Sequence, residues 1–187
     1  APVSMPGIFP SSPWGEMDIS DHEFSRFKEL MFKMSGINLT PSKKSLVVGR
    51  LRKRLHHYGL DSFNAYFDLA TRQGAEQEKQ HLVDLLTTNE TYFFREPKHF
   101  DFLRDEVVAK HSPVKPLRIW SAASSTGEEA YSMAMTVARQ RGLSSPWSIL
   151  GTDINQGVLE HARQGRYNID SAAKIPVELL KKYCLKG

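Results

Sequence analysis

Two stretches of the 187-residue chain concentrate side chains that bind or react. The first is Leu86-Thr87-Thr88-Asn89-Glu90-Thr91-Tyr92-Phe93-Phe94-Arg95-Glu96, where amides and hydroxyls are followed by three aromatic rings and an arginine. Such a segment offers polar groups to a zwitterionic tail and ring faces to an adenine or a sulfonium cation. It reads equally as a connection whose aromatics anchor two domains. The second is residues 121–129, where Ser121, Ala122, Ala123, Ser124, Ser125 and Gly127 leave the backbone open to close approach. Free N–H groups at the start of a following helix meet polar or anionic groups. With no GxGxxG, the same stretch also reads as a strand-to-helix turn whose small residues serve packing. Asp153 follows the turn by about 25–30 residues, where nucleotide-binding α/β folds place a carboxylate for ribose hydroxyls. Its competing reading is the N-cap of the next helix.

The elements that must hold these residues follow from periodicity. Ser20-Asp21-His22-Glu23 is a capping box, and Phe24, Phe27, Leu30, Met31 and Met34 continue at helical spacing until Gly36. A second helix is predicted over 42–58, with Val47, Val48, Leu51 and Leu55 as its apolar stripe. A third opens at Asp61-Ser62 and buries Phe63, Tyr66, Phe67 and Ala70; a fourth, 75–86, buries Leu82, Leu85 and Leu86. After Pro97 another helix carries Phe100, Leu103 and Val107. The period then switches: strand 116–121, turn, helix 128–141, strand 147–152, Asp153, helix 158–163. The fold class is therefore α/β, a small all-α helical domain followed by the first part of a doubly wound, Rossmann-like domain. The boundaries read as a flexible leader over 1–18, the helical domain over 19–87, a linker and connecting helix over 88–114, and the α/β portion over 115–187. Two parallel strands fall short of the roughly five that such sheets use, so the α/β portion reads as truncated.

Composition narrows the class. A 40% hydrophobic and 25% charged chain is that of a globular protein. No run of about 18 apolar residues offers a membrane span. One cysteine, Cys184, closes no intrachain disulfide, and a cytoplasmic protein is expected. The net charge of +4, from 25 Lys+Arg against 21 Asp+Glu, is too small by itself to mark a nucleic-acid binder. The charge is local, however: Lys43, Lys44, Arg50, Arg52, Lys53, Arg54, His56 and His57 occur without a carboxylate between Pro41 and Gly59. Arg50, Lys53, Arg54 and His57 are expected on the side of the second helix opposite its apolar stripe. That run reads as a solvated face, or as a docking surface for an acidic helix or a phosphate backbone. The histidines show no metal-ligand spacing, so no metal is expected.

The residues that decide between these readings are taken together. The 86–96 stretch, then His99-Phe100, then Arg118-Ile119-Trp120-Ser121-Ala122-Ala123-Ser124-Ser125-Thr126-Gly127-Glu128-Glu129-Ala130-Tyr131-Ser132, closely resemble the CheR-type chemotaxis receptor methyltransferases. So do Gly36-Ile37, Arg50-Leu51-Arg52-Lys53-Arg54-Leu55, Thr152-Asp153-Ile154 and Ala162-Arg163-Gln164-Gly165-Arg166-Tyr167. The similarity runs from about Phe24 to the end, in the family's order.

The resemblance implies a protein-glutamate O-methyltransferase that uses S-adenosyl-L-methionine, yields S-adenosyl-L-homocysteine and needs no metal. It implies that Asn89, Thr91, Arg95, Glu129 and Asp153 line the cofactor site. Asp153 would hold the ribose, Glu129 the amino acid end, and Arg95, the catalytic candidate, would also orient the acceptor carboxylate. It implies docking of Arg50, Lys53, Arg54 and His57 on the cytoplasmic domain of membrane chemoreceptors. A monomer that neither inserts in membranes nor binds nucleic acid is expected. A glutamate, with a pKa of about 4.3, is already ionised at neutral pH and needs no general base. Two other readings are a regulatory module that binds the cofactor without transfer, and a nucleic-acid binder using the basic helix.

Overall fold

The computed structural model describes residues 18–187, so almost all of the 1–18 leader lies outside the described residues. Two compact units divide the chain, one ending at Leu86 and the other running from Thr87 to Gly187.

The first unit is helical. Helix α1 spans Asp21–Ser35; Ser20 caps it through its hydroxyl on the Glu23 amide, and Glu23 answers on the Ser20 amide. The same Glu23 carboxylate accepts from the Asn64 backbone N–H at 3.0 Å, so one side chain secures the starts of two helices. A 3-10 turn, Pro41–Lys43, leads into α2, Lys44–Tyr58; α3 is Phe63–Thr71 and α4 is Glu76–Leu86. Phe27, Met31, Val47, Leu51, Leu55, Phe63, Tyr66, Ala70 and Leu82 are shut off from solvent and form one continuous core. Two details depart from the sequence periodicity. Met34 is exposed, one residue before α1 ends. On α4, Val83 is buried in place of Leu85, which is only partly covered.

The second unit begins with the segment 87–96 and continues into α5, Pro97–Phe102, and a π-helical stretch, Leu103–Val108. Each π turn takes in an extra residue relative to an α turn, which rotates the following side chains. Val108 is buried in the core beside Leu117 and Val137, and Leu103 and Val107 pack against it partly buried. Strand β1, Leu117–Ala122, pairs in parallel with β2, Trp147–Thr152, in the register Ile119↔Ile149 and Ser121↔Gly151. Helix α6, Glu128–Arg141, connects them, and α7, Gln156–Gln164, follows β2. One face of the pair, with Leu117, Ile119 and Ser121, is covered; Trp120 and Leu150 on the other face are 66% and 62% exposed. Two short helices that periodicity did not signal, α8 (Ile169–Ala172) and α9 (Val177–Tyr183), follow α7. Ile175 and Leu179 from this region pack with Phe93 and Met135.

Candidate functional site

Residues 123–127, between β1 and α6, are built from unusual backbone. Ala123, Ser125 and Gly127 all have positive φ, at 56°, 50° and 98°. Such values in non-glycine residues cost about 1–3 kcal/mol each and gather where a binding surface is preshaped. The second site of this kind is the 92–96 segment, where Phe94 and Glu96 lie at φ 55° and 56° and bracket Arg95. Among the described residues, every non-glycine positive φ falls in one of the two stretches that residue chemistry singled out.

Asp153 lies just past β2 and is half-buried. Its Oδ2 accepts the Ser125 backbone N–H at 2.8 Å and its Oδ1 accepts the Asn155 N–H at 2.9 Å. The helix cap proposed as its alternative role belongs instead to Asn155, whose side chain accepts from the Val158 amide at 3.1 Å. The Asp153 carboxylate thus holds the left-handed residue of the turn, and each oxygen keeps capacity for a further donor. Ser125 also donates through its hydroxyl to the Asn89 carbonyl at 3.0 Å, so one residue joins two predicted positions, Asn89 and Asp153. Thr87 completes this node: its hydroxyl accepts from both the Asn155 amide (2.9 Å) and the Asn89 amide (3.2 Å).

Glu129, in the first turn of α6, is exposed and accepts from the Ser121 hydroxyl at 2.6 Å. Neighbouring Glu128 turns inward to the Thr126 hydroxyl at 2.6 Å and is buried. Thr91 is half-buried. Arg95 is exposed; its guanidinium donates to the Glu90 carbonyl at 2.9 Å and lies 6.0 Å from the Tyr92 ring centre. Ser121 at the end of β1 therefore links to Glu129, and Ser125 links Asn89 to Asp153, while Arg95 is held by its own loop.

Several supporting residues take on roles that residue type alone did not assign. Gly127 is hemmed in: a Cβ there would sit 2.9 Å from both the Ala162 Cβ and the Tyr167 hydroxyl oxygen. Tyr167 donates to the Thr126 carbonyl at 2.5 Å, and its burial, then the nearby Glu128 charge, push the phenol well above its ordinary range. Ser132, fully buried, accepts the Phe94 N–H at 3.0 Å. The signal for Asn155 was present, since Asn followed three residues later by the first apolar helical position is an N-cap pattern. Ser132 and Tyr167 stand in stretches that carry the family resemblance, but nothing in the local sequence shows their hydrogen-bond partners, which lie in distant segments.

The basic helix needs correction. Arg50 and Arg54 do not face away from the bundle; both are half-buried and turn toward α4. Arg50 donates to the Leu85 carbonyl at 3.1 Å. Arg54 grips Glu78 with two nitrogens, Nε at 3.0 Å from Oε1 and Nη2 against Oε2. Tyr58 and Tyr66 donate to the same carboxylate at 2.8 and 2.7 Å. Burial alone would raise the Glu78 carboxyl, but the bonds from Arg54, Tyr66 and Tyr58 together hold it below the ordinary carboxylate range. The run that lacks acids along the chain is partly neutralised across helices, by Glu78 on Arg54 and by Asp21 on Lys44. Lys53 and His57 remain exposed.

Comparison with known proteins fits this geometry. Residues 89–187 match the family model described as CheR methyltransferase, SAM binding domain, and residues 22–87 match the CheR methyltransferase all-alpha domain. The chain belongs to the CheR methyltransferase family. It is 41% identical over 186 residues to chemotaxis protein methyltransferase 2 of Pseudomonas aeruginosa, covering 98% of this chain and 66% of that protein. It is 37% and 38% identical to the chemotaxis protein methyltransferases of Salmonella typhimurium and Escherichia coli, each match covering 90% of this chain and 58% of the relative. The chain thus spans about three-fifths to two-thirds of the length of these relatives. The two family matches meet between Thr87 and Asn89, beside the division between the compact units. Among the described residues, no helix is long and apolar enough to cross a membrane, and no group of three acidic, histidine or cysteine side chains is placed to hold a metal ion.

Proposed function

We propose that the protein of which this chain forms part methylates glutamate side chains on the cytoplasmic domains of chemoreceptors, with S-adenosyl-L-methionine as donor and no metal. The observation that carries the reading is the Asn89–Ser125–Asp153 node, lying inside the segment that matches the family's SAM binding domain. The donor set suits that molecule. Asp153 has acceptor capacity left for ribose hydroxyls, and Glu129 offers an exposed carboxylate to an ammonium group. Asn89, Thr91 and Arg95 complete the set. When bound, the cofactor supplies a sulfonium methyl group to an already ionised glutamate.

The chain's own residues have positioning work to do. Ala123, Ser125 and Gly127 shape the turn without bulky side chains, and Asp153 keeps Ser125 in place. Arg95, between two left-handed residues, presents a cation to the acceptor carboxylate, so part of the catalysis is orientation of two reactants. Lys53 and His57 form the exposed part of a docking surface for the acidic receptor, and Arg54 supports it from behind through Glu78. Removing one negative charge from the receptor per ester is the signal the modification sends.

Titration calorimetry with S-adenosylhomocysteine, followed by transfer of labelled methyl groups to receptor fragments by the full-length protein, tests the reading. Binding by the chain and base-labile ester formation are expected. Failure of both the chain and the full-length protein to bind the product would overturn it.

A further inference from the structure

Arg95 is presented by a loop with no regular hydrogen bonding, so its placement depends on what fastens that loop. Its own backbone N–H reaches only the Tyr92 carbonyl, at 3.3 Å. The residues on either side, Phe94 and Glu96, hold left-handed conformations that side chains with a Cβ resist. A fastening must therefore act on the backbone at this point.

Ser132 supplies it. Its hydroxyl is completely buried on α6, and its one proton goes to the Glu128 carbonyl a turn earlier, at 2.6 Å. With the donor committed, the hydroxyl oxygen faces out of the helix as an acceptor, and the Phe94 N–H occupies it at 3.0 Å. The Phe94 ring is braced separately on Phe100, with centres 5.0 Å apart. Ser132 stands three residues after Glu129, on the adjacent turn of the same helix. Thus α6 carries at its start both the carboxylate offered to the cofactor and the acceptor that fixes the Arg95 loop.

We infer that Ser132 is a positioning residue, which sets Arg95 relative to Glu129 by pinning the Phe94 amide to α6. This rests on the cofactor reading given above, and it adds a residue that touches neither cofactor nor substrate. Thr136 provides the control: it is buried one turn further along α6 and bonds the Ser132 carbonyl at 2.8 Å, with no bond to the loop. A role in helix stability alone would be shared by both residues.

The test compares Ser132→Ala with Thr136→Val in the 187-residue chain. Hydrogen exchange at the Phe94 amide and calorimetric affinity for S-adenosylhomocysteine are the two readouts. Loss of a buried acceptor should speed Phe94 exchange and weaken product affinity by about tenfold each in Ser132→Ala. Thr136→Val should leave both near wild type even where its melting temperature falls as far. Unchanged Phe94 exchange in Ser132→Ala, or equal loss of affinity in Thr136→Val, overturns the inference. Absence of product binding in the wild-type chain would count against the cofactor reading instead, and the exchange comparison would still decide whether Ser132 pins the loop.

Discussion

The Asp153 carboxylate holds the backbone N–H of Ser125 at 2.8 Å, across a sequence separation of 28 residues. An acid read from the chain as a ligand for ribose is thus also the fastening of the turn it serves. Asp153→Asn removes the charge and one of two acceptor oxygens, leaving a backbone donor unmatched at a cost of about 1–3 kcal/mol. Affinity for S-adenosylhomocysteine is expected to fall at least tenfold in calorimetry, and the melting temperature to fall with it. Unchanged affinity would show that the carboxylate serves only the turn.

Gly127 and Gly36 separate conformational cost from steric cost. Both have positive φ, 98° and 72°, but a Cβ at Gly36 meets nothing within 4 Å, whereas one at Gly127 strikes Ala162 and Tyr167. Gly36→Ala should cost roughly 1–2 kcal/mol, the penalty of a left-handed L-residue. Gly127→Ala should cost more and also weaken product binding. Thermal melts of the two variants check the order.

Arg95 is exposed and bonded only within its own loop. If Arg95 has the role proposed for it, Arg95→Ala in the full-length protein lowers the rate of methyl transfer more than it weakens product affinity, because it removes the orienting cation for the acceptor as well as one proposed cofactor contact. Equal losses in the two measurements would remove the orienting role.

The Arg54–Glu78 pair gives the helical unit an acid limit. Glu78 titrates below its ordinary value of 4.5 in the folded chain, so its contribution is complete above about that pH and is lost as pH falls through the lower folded value. Glu23, also held low against the opposing effect of burial by its bonds to Ser20 and Asn64, acts in the same direction. Melting temperature should be flat from pH 7 to 5 and drop below about 4.5, less steeply in Glu78→Gln. Arg54→Ala should destabilise the bundle by roughly 2 kcal/mol, since it leaves the Glu78 charge without its cation and held by the two tyrosine hydroxyls alone. Lys53→Ala and His57→Ala should leave melting unchanged and reduce receptor methylation, read by ester yield.

What the sequence determined by itself is the local part. The Ser20–Glu23 cap, the helices α1 to α4 and α6, the two strands and the small-residue turn all follow from spacing and capping within a dozen residues of each other. The Leu86–Glu96 and Ser121–Glu129 stretches announced themselves by residue type. Tertiary structure alone decided which of those groups are committed elsewhere. Arg54 looked outward along α2 until Glu78 approached from α4, and a charge run is balanced in space, not along the chain. Val108 joined Val107 at the core along a π-helical stretch, whose turns a 3.6-residue period does not describe. Ser125, Ser132 and Tyr167 drew their importance from partners 28 to 41 residues away. A hydroxyl carries no sign in its own neighbourhood of which distant amide or carbonyl it will meet, and only folding supplies that partner.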